Sequence, residues 1–178
     1  MPMLPTEIVT HHDRVPVFGH TPTIVAMRSG KWSDPLTWDA GRVPGPADSV
    51  FIPSGLTVYH GASVLSSFIP LAEATHVLVA GALAIDGLAD LRIVTLMGLP
   101  GSQMLATDAG WIKIVFRDEP MDLVNDPRQF GHGLLSFGAV HFQGKAKTPF
   151  VRLVARAKAG DVFLRMEQGA SNYNWQVG

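Results

Sequence analysis

The most informative stretch for the fold is Val77-Leu-Val-Ala-Gly81-Ala-Leu-Ala-Ile85, in which one glycine separates two short apolar runs. The same text returns as Leu134-Leu-Ser-Phe-Gly138-Ala-Val-His-Phe142, and more loosely around Gly55. A single glycine is too short for most hairpins, but it allows a sharp corner between two strands. The separation of Gly55 and Gly81 lies in the period range of stacked-repeat folds. The repeat therefore predicts that Gly81 and Gly138 occupy equivalent corners in different coils of a solenoid.

Similar short runs, rich in β-branched residues and bounded by turn formers, recur from Ser49 to the end of the chain, as expected of strands. They lie at 50–53, 56–59, 76–79, 82–86, 91–96, 111–117, 134–137, 139–143, 151–155 and 162–166. The strongest helix candidate, 63–74, contains Pro70, which would cost about 3 kcal/mol in a helix interior. We therefore predict an all-β protein: a right-handed, single-stranded parallel β-helix of about five coils with an irregular N-terminal cap. A β-sandwich is the alternative.

The composition of the chain limits which classes of function are possible. The net charge of −1 gives no reason to expect a nucleic-acid partner, and the absence of cysteine excludes disulfides and thiol chemistry. No window approaches the ~20 apolar residues of a membrane-spanning helix. Between Arg128 and Gly160 the chain has six Lys or Arg residues and no Asp or Glu. That asymmetry suggests a local basic surface in the C-terminal third.

The segment from Lys31 to Gly55 resembles the opening of the G-eight domain, a family named for its eight glycines. It reads Lys-Trp-Ser-Asp-Pro-Leu-Thr-Trp-Asp-Ala-Gly-Arg-Val-Pro-Gly-Pro-Ala-Asp-Ser-Val-Phe-Ile-Pro-Ser-Gly. Further similarities occur at 79–83, 131–138, 141–144, 150–153 and 175–178. The resemblance covers residues 28–178 and is closest to the family's bacterial members. It implies an N-terminal irregular segment over 1–27, followed by a G-eight-like β-helical domain that begins a longer β-helix.

What the resemblance implies about function is an extracellular setting. Relatives include hyaluronan-binding and hyaluronan-depolymerising proteins and fibrocystin-like receptors. The chain is therefore expected to be secreted, periplasmic or at the cell surface, although it shows no signal peptide. Its expected partner is a polysaccharide, and a second copy of the chain or further β-helix is expected at the C-terminal end.

Strand alternation identifies candidate glycan-binding residues. It places five basic side chains on the outward face of their strands: Lys113, Arg117, His141, Arg152 and Arg156. Arginine forks bind carboxylates with two bonds, as an acidic polysaccharide would require. The alternative is that these are ordinary solvated positions on buried strands.

Two other clusters have both a functional and a structural interpretation. The loop after Arg117 contains Asp118, Asp122 and Asp126, whose hard oxygens suit Ca²⁺ as a cofactor. The same residues are also typical of a long turn in which Asp side chains bond their own backbone. Trp32 and Trp38 could stack on sugar rings, but a lid over the N-terminal end of the core is the favoured interpretation.

Three functions follow, in order of preference. The first is recognition of an extracellular polysaccharide by a non-catalytic β-helical module of a larger exported protein. The second is the leading part of a polysaccharide-degrading enzyme, either hyaluronidase-like or uronate-lyase-like. The third is a structural or adhesive stalk. Exposed aromatic residues would favour the binding module, and convergent carboxylates in a basic groove would favour the enzyme.

Overall fold

The computed structural model describes residues 4–120, 122–144 and 152–163. The chain divides into two compact units, Met1–Gly144 and Lys145–Gly178. The strands of the first unit, in chain order, are β1 (Glu7–Val9), β2 (Arg14–Pro16), β3 (Ile24–Val25), β4 (Gly30–Lys31), β5 (Ser49–Ile52), β6 (Thr57–His60), β7 (Leu71–Glu73), β8 (His76–Val79), β9 (Ala82–Ile93), β10 (Thr95–Gly98), β11 (Gln103–Phe116), β12 (Gly133–Ser136) and β13 (Ala139–Gln143). A 3-10 turn spans Pro35–Thr37.

Two parallel sheets organise this unit. The first sheet has the strand order β12-β10-β8-β5-β3, and the second sheet has the order β13-β11-β9-β6-β4, with β7 beside the C-terminal half of β9. From β3 onward the chain passes from one sheet to the other, and each pass stacks on the one before it. The protein is therefore all-β with parallel sheets, which is compatible with the predicted β-helix, whereas typical sandwiches pair their strands antiparallel.

The predicted glycine corners are confirmed. Gly81 lies between β8 and β9, and Gly138 lies between β12 and β13, so each turns the chain from the first sheet into the second. A Cβ built on Gly81 would overlap the carbonyl oxygens of Pro53 and Leu56, which belong to the corner of the neighbouring pass. Gly138 lies equally close to the carbonyl oxygen of Ser102. These corners require glycine because backbone packs directly on backbone.

The main core lies between the two sheets. Side chains alternate along each strand, so that one set points inward and the other outward. In β9, for example, Leu83 and Ile85 are buried while Asp86 is exposed. The tryptophans Trp32 and Trp38 close the end of this core beside β3 and β4 and are almost fully buried.

The outer face of the first sheet is covered by the N-terminal segment. Strands β1 and β2 pair antiparallel, and Val15 and Val17 pack against Phe51, Leu78 and Met97. The sequence predicted an irregular cap here, whereas the structure has a short hairpin. Its three-residue strands, one face of which is exposed, carry little periodicity for a sequence pattern to reveal.

Two further segments, 63–74 and 151–155, can be compared with what the sequence predicts for them. Residues 63–74 form no helix, as Pro70 predicts, and instead lead into β7. The predicted strand at 151–155 is wrong over its described part, because none of residues 152–163 lies in a strand and Leu153 is 40 % exposed. In the part of the chain that the structure describes, no helix has the length and apolar character needed to cross a membrane.

Candidate functional site

The outer face of the second sheet is exposed, in contrast to that of the first. We call it the open face, and define it by the outward side chains of its five strands. These are Lys31, Thr57, Tyr59, Ala82, Ala84, Asp86, Gln103, Leu105, Thr107, Ala139, His141 and Gln143. Most of them are polar or small, and Tyr59 exposes 53 % of its surface. The open face is thus a largely polar, exposed surface that carries an aromatic ring.

A shallow groove crosses one end of the open face. Its volume is about 590 Å³, and it runs over Lys31, Tyr59, Ala84 and Asp86. The loop that follows β6 forms one wall through residues 61–64. On its floor Asp86 accepts hydrogen bonds from its neighbour's backbone, Gly87 N at 2.8 Å, and from Thr107 Oγ1 at 3.2 Å. The groove therefore combines a cation, an aromatic ring and a fixed carboxylate.

The sequence did not identify Tyr59 or Lys31 as candidate binding residues. The signal for Tyr59 was present, because alternation through Thr57-Val-Tyr-His60 buries Val58 and His60 and leaves Tyr59 outside. Lys31 belongs to a two-residue strand, too short to show any alternation. Its place beside Tyr59 depends on the pairing of β4 with β6.

Within the first unit, the predicted basic residues Lys113, Arg117 and His141 do not form one group. His141 lies on the open face, in β13. Lys113 is exposed on the C-terminal half of β11, where its register partner in β9 is Asp90. Arg152 and Arg156 are exposed and belong to the second unit.

Arg117 has a structural role. One guanidinium nitrogen, Nη2, donates to the carbonyl oxygens of Pro46 at 2.8 Å and Ala74 at 3.3 Å, and lies 3.0 Å from Glu119 Oε1. Its Nε is buried. The side chain therefore ties three loops together and does not present a free fork to a ligand.

Two of the three predicted calcium ligands, Asp122 and Asp126, are engaged with their own loop. Asp122 accepts hydrogen bonds from the Asn125 side chain and from Asn125 N and Val124 N. These bonds, that of the Asn125 side chain above all, hold the pKa of Asp122 below its usual range. Asp126 is buried and accepts from Phe130 N and Gly131 N, while Asp118 is exposed. No group of three or more His, Cys, Asp or Glu side chains among the described residues could hold a metal ion. This geometry is that of the long Asp-stabilised turn.

The tryptophan pair is unavailable to a sugar. Trp32 and Trp38 are 1 % and 2 % exposed, with ring centroids 5.1 Å apart in an edge-on arrangement. Trp38 Nε1 donates to the carbonyl oxygen of Trp32 at 2.8 Å. This arrangement supports the lid interpretation.

A second cavity, of about 450 Å³, lies beneath the N-terminal hairpin and is lined by His20, His76, His132 and Glu119 among others. His76 Nδ1 lies 3.1 Å from Thr95 Oγ1, whose proton goes to the carbonyl oxygen of Gly131. The imidazole must therefore donate from Nδ1, which leaves Nε2 as a free acceptor. Burial lowers the pKa of His76, which favours this neutral form.

The buried histidine His60 makes the stability of the folded protein depend on pH. It is buried beside Trp32, its Nε2 donates to the carbonyl oxygen of Asp90 at 2.9 Å, and burial lowers its pKa. The unfolded chain therefore gains a proton at a pH where the folded protein does not. His60 contributes stability above the ordinary histidine pKa of about 6.5, and this contribution is lost as the pH falls.

We accordingly expect the free energy of unfolding to fall between pH 7 and pH 5. The slope due to one such group is at most about 1.4 kcal/mol per pH unit. Urea unfolding at several pH values measures it, and His60→Gln should reduce the slope. An equal slope in the variant would show that other groups cause the acid sensitivity.

Comparison with known proteins finds no matching family model, curated protein or solved structure for this chain. The resemblance to the G-eight domain therefore stays a prediction.

Proposed function

We propose that this chain is a non-catalytic module that recognises an extracellular polysaccharide through its open face. The observation that carries the proposal is the contrast between the two sheets: the N-terminal hairpin covers the outer face of the first, while the second exposes Tyr59 and a row of polar side chains. An exposed aromatic ring can stack on the apolar face of a sugar, and the polar neighbours can bind its hydroxyl groups.

We also propose a specific form for the all-β fold. The stacking order of both sheets and the repeated glycine corners support a single-stranded, right-handed parallel β-helix of about five coils. A G-eight-like module of a larger exported protein would have this form. Such a setting also fits the open face, on which neutral polar side chains outnumber the charged Lys31 and Asp86.

Replacement of Tyr59 by alanine is expected to weaken retention on an immobilised polysaccharide about tenfold, the equivalent of one lost stacking contact. Affinity chromatography on polygalacturonate and on hyaluronan measures it, after a glycan array has shown which polymers bind. Trp111→Ala is the matched control, because Trp111 is 46 % exposed but lies in β11 beyond the open face.

Equal retention of the Tyr59→Ala and native proteins would remove the open face from the binding site. Failure of every polymer to bind would contradict the proposal as a whole and favour the structural or adhesive stalk.

The second cavity favours one other function, a polysaccharide-degrading enzyme. His76 offers a free Nε2 as a general base, Glu119 lies in the same cavity, and His132 Nε2 is buried with no hydrogen-bond partner among the described residues. The Glu119 carboxylate is already paired with Arg117, however, and this cavity does not lie on the open face. A fall in the viscosity of hyaluronan or polygalacturonate on incubation with the protein would support the enzyme over the binding module.

A further inference from the structure

The N-terminal hairpin and the residues that follow it form a strap, residues 6–20, over the outer face of the first sheet. Val15 and Val17 pack it onto buried side chains of β5, β8 and β10. An ion pair between Asp13 and Arg128 also links the strap to the loop that follows β11, but this pair is largely exposed and contributes little. An isolated two-stranded hairpin is at best marginally stable in water. The strap therefore depends on its packing against the sheet to stay in place.

One titratable side chain, His76, lies directly beneath the strap. His76 shares the outer face of β8 with Leu78, because alternate residues of a strand point to the same side. A Cβ built on Gly19 would lie 3.1 Å from the His76 Cβ. The Phe18 ring is next to the imidazole, with the two ring centroids 6.0 Å apart. The strap thus covers part of this imidazole, and release of the strap would expose the ring to water.

The hydrogen bonds around His76 suit a neutral ring. Thr95 Oγ1 gives its proton to the carbonyl oxygen of Gly131, so it must accept from His76 Nδ1, which lies 3.1 Å away. No hydrogen-bond partner for Nε2 is found among the residues that the structure describes. A proton on Nε2 would therefore find no protein acceptor beneath the strap, which is costly for a charged group.

The other titratable groups around His76 come from two elements. The strap contributes His20, whose Nδ1 donates to the carbonyl oxygen of Val17 at 2.9 Å. The neighbouring strands β5 and β10 place the uncharged Ser49 and Thr95 beside it. The loop after β11 contributes five charged or titratable side chains: Arg117, Glu119, Asp122, Asp126 and His132.

The carboxylates of that loop are already engaged. Glu119 is paired with Arg117, at 3.0 Å. Asp122 and Asp126 both accept hydrogen bonds from backbone amides of their own loop. His132 is a further imidazole, and its Nε2 is buried with no hydrogen-bond partner in the described part of the chain. An imidazolium beneath the strap would therefore be poorly compensated by these neighbours.

The electrostatic surroundings give the direction of the pH effect. Burial above all lowers the pKa of His76. The charges of His132 and Arg117 lower it further, while Glu119 acts in the opposite direction. Release of the strap would remove the burial and return the pKa toward the ordinary value of about 6.5. The released form then binds a proton at a pH where the docked form does not, so docking loses stability as the pH falls below that value.

We propose that acidification releases the strap from the first sheet, and that protonation of His76 drives the release. The released state uncovers an apolar surface formed by Phe51, Leu78 and Met97. The main core lies between the two sheets and is a separate cluster, so it stays folded. This inference goes beyond polysaccharide recognition and does not depend on it.

Hydrogen exchange at pH 7, 6 and 5 tests the proposal, with each rate divided by its intrinsic value so that only protection remains. Thr10 N and Val17 N report on the strap, and Ala80 N and Leu99 N report on the stacked sheets. The strap amides are expected to be less protected than the sheet amides at each pH, because release does not require the sheets to unfold. Their protection is expected to fall about tenfold between pH 7 and pH 5.

Two glutamine variants separate His76 from the histidine of the main core. His76→Gln can still donate to Thr95 Oγ1 but does not titrate, so it should remove the pH dependence of strap protection. His60→Gln is the matched control, because His60 is buried beside Trp32 and not beneath the strap, and it should leave that dependence unchanged.

Equal protection of strap and sheet amides at every pH would overturn the proposal. So would a strap whose protection falls as steeply in His76→Gln as in the native protein. Circular dichroism shows whether each variant is folded. If His76→Gln is not, a strap response that His60→Gln abolishes would overturn the proposal as well.

Discussion

Replacement of Gly81 by alanine is expected to destabilise the protein by about 3 to 5 kcal/mol, at the upper end of single-residue effects. The added Cβ would overlap two backbone carbonyl oxygens, those of Pro53 and Leu56. Leu56 also receives a hydrogen bond at that oxygen from Ala82 N, at 2.8 Å. The stacked passes would have to separate at this corner, because no side-chain rotation can relieve a backbone contact. Urea unfolding measures the change.

Gly45→Ala is the matched control for this substitution. A Cβ at Gly45 would meet Asp48 Oδ2 at 3.8 Å, an ordinary contact. We expect that variant to lie within about 1 kcal/mol of the native protein. A Gly81→Ala protein as stable as the native one would contradict the close stacking of these corners.

Replacement of Trp38 by alanine is expected to cost about 3 to 5 kcal/mol, as typical of large buried aromatic residues. The change removes its packing against Trp32 and its hydrogen bond to the Trp32 carbonyl group. It would also expose the end of the core beside β3 and β4. Thermal unfolding, with tryptophan fluorescence as the probe, measures the loss.

The exposed Trp111 provides the comparison for the lid. It is 46 % exposed, so Trp111→Ala is expected to cost about 1 kcal/mol or less. Similar losses in the two variants would mean that Trp38 does not close the core.

The sequence was sufficient for the parts of the fold that depend on local pattern. The short apolar runs predicted β8 and the two ends of β9, at 82–86 and 91–93, but not that β9 is continuous over Ala82–Ile93. The lone glycine between β8 and β9 predicted the corner at Gly81. The hairpin of β1 and β2 was missed, because its stability comes from packing against Phe51, Leu78 and Met97, which are distant in the chain. The predicted strand at 151–155 shows the opposite error. Alternating apolar residues there do not form a strand over residues 152–155.

The candidate site was less accessible to sequence reasoning. Alternation correctly places His141 and Lys113 outward. It cannot show that His141 pairs with the first half of β11, whereas Lys113 belongs to the second half of that strand. Nor could it show that the Arg117 guanidinium binds the carbonyl groups of Pro46 and Ala74, since that contact joins loops that are distant in the sequence. The similarity at 175–178, and the expectation of a second copy or further β-helix at the C-terminal end, concern residues that lie outside the described part of the structure.

The central claim is that the open face is the polysaccharide-binding surface. Hydroxyl-radical footprinting with and without a bound polymer tests it most directly, because Tyr59 and Trp111 are both exposed and both react with the radical. The account predicts that the polymer slows oxidation of Tyr59 and His141 and leaves Trp111 unchanged. Protection of His20, His76 and His132 in the second cavity, with Tyr59 as reactive as in the free protein, would contradict it.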